Sequence, residues 1–141
     1  MHRRVKNAYA ALYADPSGLR VIHHDLYHDN ICVDRGRLYP FDFEDTVWGY
    51  PVQDIATAMR DLIEDAPPAA YPTLSQAFRR GYESLEPWPE RKKGELDTLI
   101  AAHFIEGANR TAHADPQRLP QKIAALAPLL HHLLDGGSPR K

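Results

Sequence analysis

The stretch VIHHDLYHDNICVDRGRLYPFDFEDTVWGYPVQD, residues 21–54, decides the fold of this 141-residue chain. It begins as a short apolar strand and then places Asp25 and Asn30 five residues apart around a tight turn. A hairpin with Gly36 in its turn follows, and it leads to Asp42 in the segment PFDFED. Three oxygen-bearing side chains can therefore converge at one place.

Helical periodicity flanks this stretch on both sides. Apolar spacing predicts a first helix over residues 3–14, and the same period recurs over residues 54–135, where we expect a helical bundle with Asp54 as the first N-cap. The intervening loop and hairpin occupy residues 20–45. The sequence thus predicts a mainly α fold with a small β-hairpin element (α+β), in a single domain over residues 1–141.

Composition excludes several classes of partner. The chain has 17 basic and 19 acidic residues and a net charge of -2, so no strong field selects nucleic acid or an anionic membrane. The single cysteine excludes an intrachain disulfide, and no stretch approaches the roughly 18 apolar residues of a membrane span. We therefore expect a cytoplasmic protein that binds neither nucleic acid nor membrane.

The spacing of the three oxygen-bearing side chains suits phosphoryl transfer from a nucleotide. That reaction needs a carboxylate to accept the proton of the attacking hydroxyl, and Asp25 suits this role. It also needs metal ions to neutralise phosphate charge, and Mg²⁺ prefers hard oxygen ligands such as those of Asn30 and Asp42. We predict a site for Mg²⁺ with ATP.

Three blocks of sequence resemble the aminoglycoside phosphotransferase and choline kinase superfamily, which shares the protein-kinase architecture. The family pattern is close to HGDLHxxN, then DF(E/D), then GxPxxDLA. It is matched here by HHDLYHDN at residues 23–30, DFE at residues 42–44, and GYPVQDIA at residues 49–56. The resemblance implies a kinase with Asp25 as catalytic base and with a hydroxyl of a small molecule or of protein Ser/Thr as acceptor.

The resemblance also implies roles for the flanking residues. His23 would brace the catalytic loop, and Asp54 would tie the following helix to that loop. His24 stands where the family usually has glycine and could meet a phosphate. Glu44 and Asp45, beside the metal ligands, could bind a cationic substrate.

The resemblance covers only the C-terminal lobe of the protein-kinase-like fold. Only 22 residues precede His23, too few for the β-rich lobe whose lysine grips the nucleotide phosphates. We therefore expect the N-terminal nucleotide-binding lobe to be absent and the chain alone to be inactive. The apolar face left by that lobe could instead pair two copies of the chain in a homodimer.

Two alternative functions remain open at this stage. The first is a non-catalytic module in which the same lobe binds a substrate or partner. The second is a metal-dependent phosphohydrolase, because His23, His24 and His28 lie next to Asp25 and Asp29, and imidazole and carboxylate ligands cluster in this way around transition metals.

Overall fold

A computed structural model describes residues 2–135. The chain divides into two compact units, one formed by residues 1–15 with 92–141 and the other by residues 16–91. The predicted single domain over residues 1–141 stays a prediction. The candidate site lies wholly within the unit of residues 16–91.

Residues 2–135 contain five α-helices, two short 3-10 helices (Pro16–Gly18 and His28–Asn30) and four short strands. The helices are α1 (His2–Tyr13), α2 (Pro51–Asp65), α3 (Tyr71–Glu83), α4 (Glu95–Ala114) and α5 (Leu119–Asp135). The strands are β1 (Arg20–Ile22), β2 (Ile31–Asp34), β3 (Arg37–Pro40) and β4 (Val47–Gly49). The fold is mainly α with a small β element, as the sequence predicts. None of the helices between residues 2 and 135 is long and apolar enough to cross a membrane.

The predicted hairpin is confirmed. Strands β2 and β3 pair antiparallel, with Val33 opposite Leu38. The two residues of the turn, Arg35 and Gly36, both have left-handed backbones, with φ of 48° and 76°. Two positive φ values give a turn whose twist matches that of the strands, so the hairpin brings the residues after β3 back toward those before β2.

Strand β4 was not predicted, and it pairs antiparallel with β1. Gly49, the last residue of β4, lies against the side chain of Ile22, and a β-carbon at this position would collide with Ile22 Cδ1. Gln53 Oε1 would also be only 2.9 Å from that β-carbon. A residue without a side chain is therefore needed for β4 to approach β1 and the start of α2.

Helix α2 begins three residues before the predicted start. Its N-cap is Tyr50 and Pro51 is its first residue, so the prediction that Asp54 is the N-cap is wrong. Proline is favoured at the first helical position because it has no N–H to leave unpaired and its φ is already helical. The side chain of Gln53 accepts a hydrogen bond from the backbone N–H of Tyr50 at 2.8 Å, which supports the earlier start.

The unit of residues 1–15 and 92–141 is helical. Helix α4 packs on both α1 and α5. Its core is made of large apolar side chains, and the deeply buried ones are Leu12, Leu99, Ile100, Phe104, Leu133 and Leu134. This unit carries none of the predicted site residues.

Candidate active site

The carboxylate of Asp54 holds the start of the predicted catalytic loop. Its Oδ2 accepts a hydrogen bond from the backbone N–H of His23 at 2.9 Å, and its Oδ1 accepts one from His24 at 2.7 Å. Two N–H groups on one carboxylate form a charge-assisted pair that fixes both position and direction. The first turn of α2 is thereby tied to the chain that leaves β1.

The ring of His23 connects the same loop to the segment that contains Asp42. His23 Nε2 donates a hydrogen bond to the backbone carbonyl of Phe41 at 2.9 Å, and its ring centroid lies 4.8 Å from that of Phe43. The other ring nitrogen, Nδ1, is buried with no hydrogen-bond partner among residues 2–135. His23 therefore packs between the loop and the residues on either side of Asp42.

Asp25 and Asn30 are in direct contact. The side-chain nitrogen of Asn30 donates to the carboxylate Oδ2 of Asp25 and to its backbone carbonyl, both at 2.9 Å. The loop between them is folded back on itself, since Tyr27 N–H bonds to Asp25 O at 2.9 Å and Asn30 N–H bonds to Tyr27 O at 3.0 Å. The structure thus brings together the predicted base and one predicted metal ligand.

Asp42 directly follows Phe41, whose backbone is hydrogen-bonded to that of Asn30. The backbone N–H of Phe41 donates to Asn30 O at 3.0 Å, which extends the β2–β3 ladder by one bond. Asp42 then takes a left-handed backbone with φ of 62°, and its side chain is exposed. Asp and Asn adopt this conformation more readily than other residues with side chains. The chain therefore turns at Asp42, just after the end of β3.

The oxygen atoms available here fit a hard divalent cation. Both hydrogen bonds from the Asn30 side chain use its nitrogen, so its amide oxygen is the atom left to bind a metal. Asp42 offers an exposed carboxylate one residue beyond the backbone bonded to Asn30. One amide oxygen and one carboxylate are a sufficient protein contribution for Mg²⁺, which keeps several of its waters.

The remaining predicted residues are exposed. His24 has φ of 69°, a left-handed conformation that glycine adopts without strain, which explains why the family pattern has glycine here. Glu44 and Asp45 lie in the turn that follows Asp42, and both face solvent. The pair His24-Asp25 lies in the loop after β1 and not on a helix.

Sequence reasoning missed two contacts between the loop and α2. His28 donates from its backbone N–H and from its ring Nδ1 to Asp61, at 2.9 Å in each case. Arg60, which is buried, donates to the phenol oxygen of Tyr27 at 2.6 Å. The spacing of Asp54 and Asp61 could have indicated that α2 contacts the loop at both positions, because residues seven apart lie on the same face of a helix.

The hydrogen bond that His28 donates to Asp61 raises the pKa of His28 above its ordinary value of 6.5. The negative charges of Asp61, Asp29 and Asp65 act in the same direction, and they outweigh the smaller opposing effect of desolvation. The protonated imidazole is therefore the form that the cluster favours.

The described chain combines a β-hairpin and a tight loop with the helices that follow them, and it carries a carboxylate, an amide and a second carboxylate in this order along the sequence. A sequence model of the phosphotransferase enzyme family matches residues 1–88, more than half of the chain. The chain belongs to this family.

Two comparisons show how much of a kinase the chain corresponds to. It is 29% identical over 125 residues to a homoserine kinase of Neisseria meningitidis serogroup B (strain ATCC BAA-335 / MC58), covering 79% of this chain and 40% of that protein. The solved structure of amicoumacin kinase hAmiN, in complex with AMP-PNP, Ca²⁺ and Ami, superposes with a TM-score of 0.67 at 16% identity. That match covers 94% of this chain and 44% of the kinase, and it shows the protein-kinase-like fold. The chain thus spans less than half the length of each.

Proposed function

We propose that this chain is the catalytic lobe of an ATP-dependent kinase that transfers the γ-phosphoryl group to a hydroxyl. The observation that carries the proposal is the hydrogen bond of 2.9 Å between the Asn30 amide and the Asp25 carboxylate. It joins a base to a metal ligand in a single rigid loop. Phosphoryl transfer depends mainly on positioning and on charge neutralisation, and this loop supplies both.

Asp25 is the proposed base. Its carboxylate is half-buried and is oriented by Asn30, which leaves the second carboxylate oxygen to accept a proton from an acceptor hydroxyl. The Asn30 amide oxygen and the Asp42 carboxylate would hold Mg²⁺ with ATP. When bound, Mg²⁺ supplies positive charge that neutralises the nucleotide phosphates.

His23 and Asp54 position this machinery without touching the reactants. Asp54 holds the backbone at residues 23 and 24, and His23 holds the carbonyl that precedes Asp42. The base and the metal ligands are thereby fixed to one helix and one hairpin. His24, exposed at the start of the loop, is proposed to meet a phosphate.

The acceptor is proposed to be a small molecule that carries a hydroxyl and a cationic amino group. Glu44 and Asp45 are exposed in the turn after Asp42, and their charge complements an ammonium group. The names of the homoserine kinase and the amicoumacin kinase also indicate small-molecule acceptors. A protein Ser/Thr is the alternative acceptor.

We propose further that turnover requires a β-rich nucleotide-binding lobe in addition to these residues. None of the strands within residues 2–135 carries a lysine that could hold the α and β phosphates. The sheets instead expose large apolar side chains: Val21, Val33, Leu38 and Trp48. Such a surface suits a second lobe, and in its absence a second copy of the chain. We also propose that the protein is cytoplasmic.

The test is phosphoryl transfer from ATP to homoserine and related amino alcohols. We expect transfer by the longest natural polypeptide that contains these 141 residues, and none by the 141 residues alone. Asp25→Asn should lower the rate by a factor of about 10² to 10⁴. Asp34→Asn is the matched control, because Asp34 is exposed in the neighbouring hairpin and has no proposed role.

Each proposal fails on a different result. Full activity in Asp25→Asn would refute the base. Turnover by the 141 residues alone, on the order of 1 to 100 per second, would refute the need for a second lobe. Acceptor binding without transfer by any longer polypeptide would favour the non-catalytic binding module.

A further inference from the structure

We propose that His28, Asp61 and Asp65 form a second metal site, for a Zn²⁺-like transition ion, that fastens the catalytic loop to α2. One imidazole nitrogen and two carboxylate oxygens lie within 4.8 Å of one another. This site shares no residue with the predicted Mg²⁺ site at Asn30 and Asp42, and it does not depend on the kinase proposal.

The three ligand atoms have spacings close to those of a coordination sphere. His28 Nδ1 lies 2.9 Å from Asp61 Oδ1 and 3.7 Å from Asp65 Oδ2. Zinc binds nitrogen and oxygen at roughly 2.0 to 2.2 Å, so neighbouring ligands of one tetrahedral ion lie about 3.3 to 3.6 Å apart. The two His28 separations are within a few tenths of an ångström of this range, and all three atoms lie within 4.8 Å of one another, so side-chain rotations that move them by about 1 Å would bring them onto one ion.

The support around the ligands is already formed. Asp61 and Asp65 are four residues apart on one face of α2, and the Asp61 side chain is only 10% exposed. Asp61 Oδ2 also accepts the backbone N–H of His28 at 2.9 Å, which holds the histidine main chain beside the helix. A buried, fixed ligand between two exposed ones lets an ion enter from solvent without a rearrangement of the fold.

Asp29 provides the outer carboxylate that metal-bound histidines commonly have. Its Oδ1 lies 3.3 Å from His28 Nε2, on the opposite side of the ring from Nδ1. When a metal takes Nδ1, the ring proton resides on Nε2, and a carboxylate there orients the ring and increases its basicity. This second contact distinguishes the cluster from a simple surface ion pair.

The donor set selects the class of ion. Imidazole suits Zn²⁺, Ni²⁺ or Co²⁺, whereas Mg²⁺ prefers an all-oxygen shell. The carboxylates of Asp29, Asp61 and Asp65 place three negative charges around one imidazole, and this negative charge complements that of a dication. An ion at this site would hold the loop that carries Asp25 and Asn30 against α2.

The site can be tested directly with the untagged 141-residue chain. Calorimetric titration with Zn²⁺, in the presence of millimolar Mg²⁺, should give one ion per chain, and Co²⁺ should give the visible absorption of a site with nitrogen and oxygen ligands. His28→Gln and Asp65→Asn should weaken Zn²⁺ binding at least tenfold, and Asp29→Asn by about ten- to a hundredfold. Asp65 is exposed, so its substitution should leave the thermal unfolding of the metal-free chain unchanged.

His131→Gln is the matched control, because His131 also faces an aspartate, Asp135, at 3.4 Å, but the pair has no third ligand among residues 2–135. This variant should bind Zn²⁺ like the wild type. The proposal is overturned if no saturable binding occurs, or if His131→Gln weakens binding as much as His28→Gln. It is also overturned if binding survives His28→Gln and Asp65→Asn but is lost in Asp42→Asn, since the ion would then occupy the predicted Mg²⁺ site.

Discussion

The side-chain nitrogen of Asn30 lies 2.9 Å from both the carboxylate and the backbone carbonyl of Asp25. One amide group therefore closes the turn and orients the carboxylate in it. The geometry of the loop and its proposed chemistry depend on the same two hydrogen bonds.

Replacing Asn30 by alanine should destabilise the chain even without any ligand. The variant loses a hydrogen bond to a half-buried carboxylate and another to a carbonyl, so the free energy of unfolding should fall by about 1 to 3 kcal/mol. Urea unfolding followed by circular dichroism measures this. Asn109→Ala, at an exposed position of α4, should cause no loss, and an equal loss in both variants would contradict the role of the Asn30 bonds.

Gly49→Ala should destabilise the unit of residues 16–91. Its added methyl group would meet the side chains of Ile22 and Gln53, and overpacking of this kind costs about 1 to 3 kcal/mol. Gly81→Ala is the control, because Gly81 is inside α3 and an added β-carbon there would meet no atom of the described residues within 4 Å beyond its chain neighbours and the backbone of its own helix. That variant should gain up to about 1 kcal/mol from helix propensity. Thermal melts with shifts of the same sign would refute the argument.

The hairpin could be predicted because its determinants are local. A Gly in a two-residue turn, between two runs with β-branched and aromatic residues, specifies the pairing of β2 with β3 without reference to the rest of the chain. The helical periods were readable for the same reason. The proximity of Asp25 and Asn30 was readable because both lie in one local loop, while the site that they and Asp42 would form stays a prediction.

Strand β4 and the early start of α2 were not predicted in this way. The three residues of β4 form a strand only because β1, more than twenty residues earlier, offers a partner. Asp54 has the composition of an N-cap, yet its carboxylate binds the N–H groups of His23 and His24, while Pro51 starts the helix. The contact between His28 and Asp61 likewise joins residues 33 apart in sequence. Long-range pairing decides β4 and the contacts of Asp54 and Asp61, and local propensity does not contain it. The start of α2 did have a local signal, Pro51, which the apolar period alone does not reveal.

His24→Gly should stabilise the loop. A left-handed backbone such as that of His24 destabilises a residue with a side chain by about 1 to 2 kcal/mol. Glycine avoids this strain, but its greater freedom in the unfolded chain lowers the gain by about 0.5 to 1 kcal/mol. The net gain should be about 0.5 to 1 kcal/mol in urea unfolding. His113→Gly, in the last turn of α4 where the backbone is helical, should instead lose stability. A loss in His24→Gly would show that the exposed imidazole contributes more than the backbone strain costs.

The pairing of His28 with Asp61 should make stability depend on pH near neutrality. The pKa of His28 is higher in the folded chain than its ordinary 6.5, first because of the hydrogen bond to Asp61 and then because of nearby carboxylate charge. The folded state therefore binds more protons than the unfolded state between the two pKa values. The stabilisation from this pair is complete below the unfolded pKa and is lost as the pH rises through the folded one.

Urea unfolding between about pH 5 and pH 8 checks this, with an NMR titration of the His28 ring to locate its folded pKa. The wild type should lose stability relative to His28→Gln as the pH rises, because the variant has no group to titrate there. His131→Gln is the matched substitution at another exposed histidine that faces an aspartate, and comparing the two variants separates the effect of the His28 pairing from that of removing an imidazole. A difference between wild type and His28→Gln that stays constant with pH would mean that the folded chain does not favour the protonated imidazole.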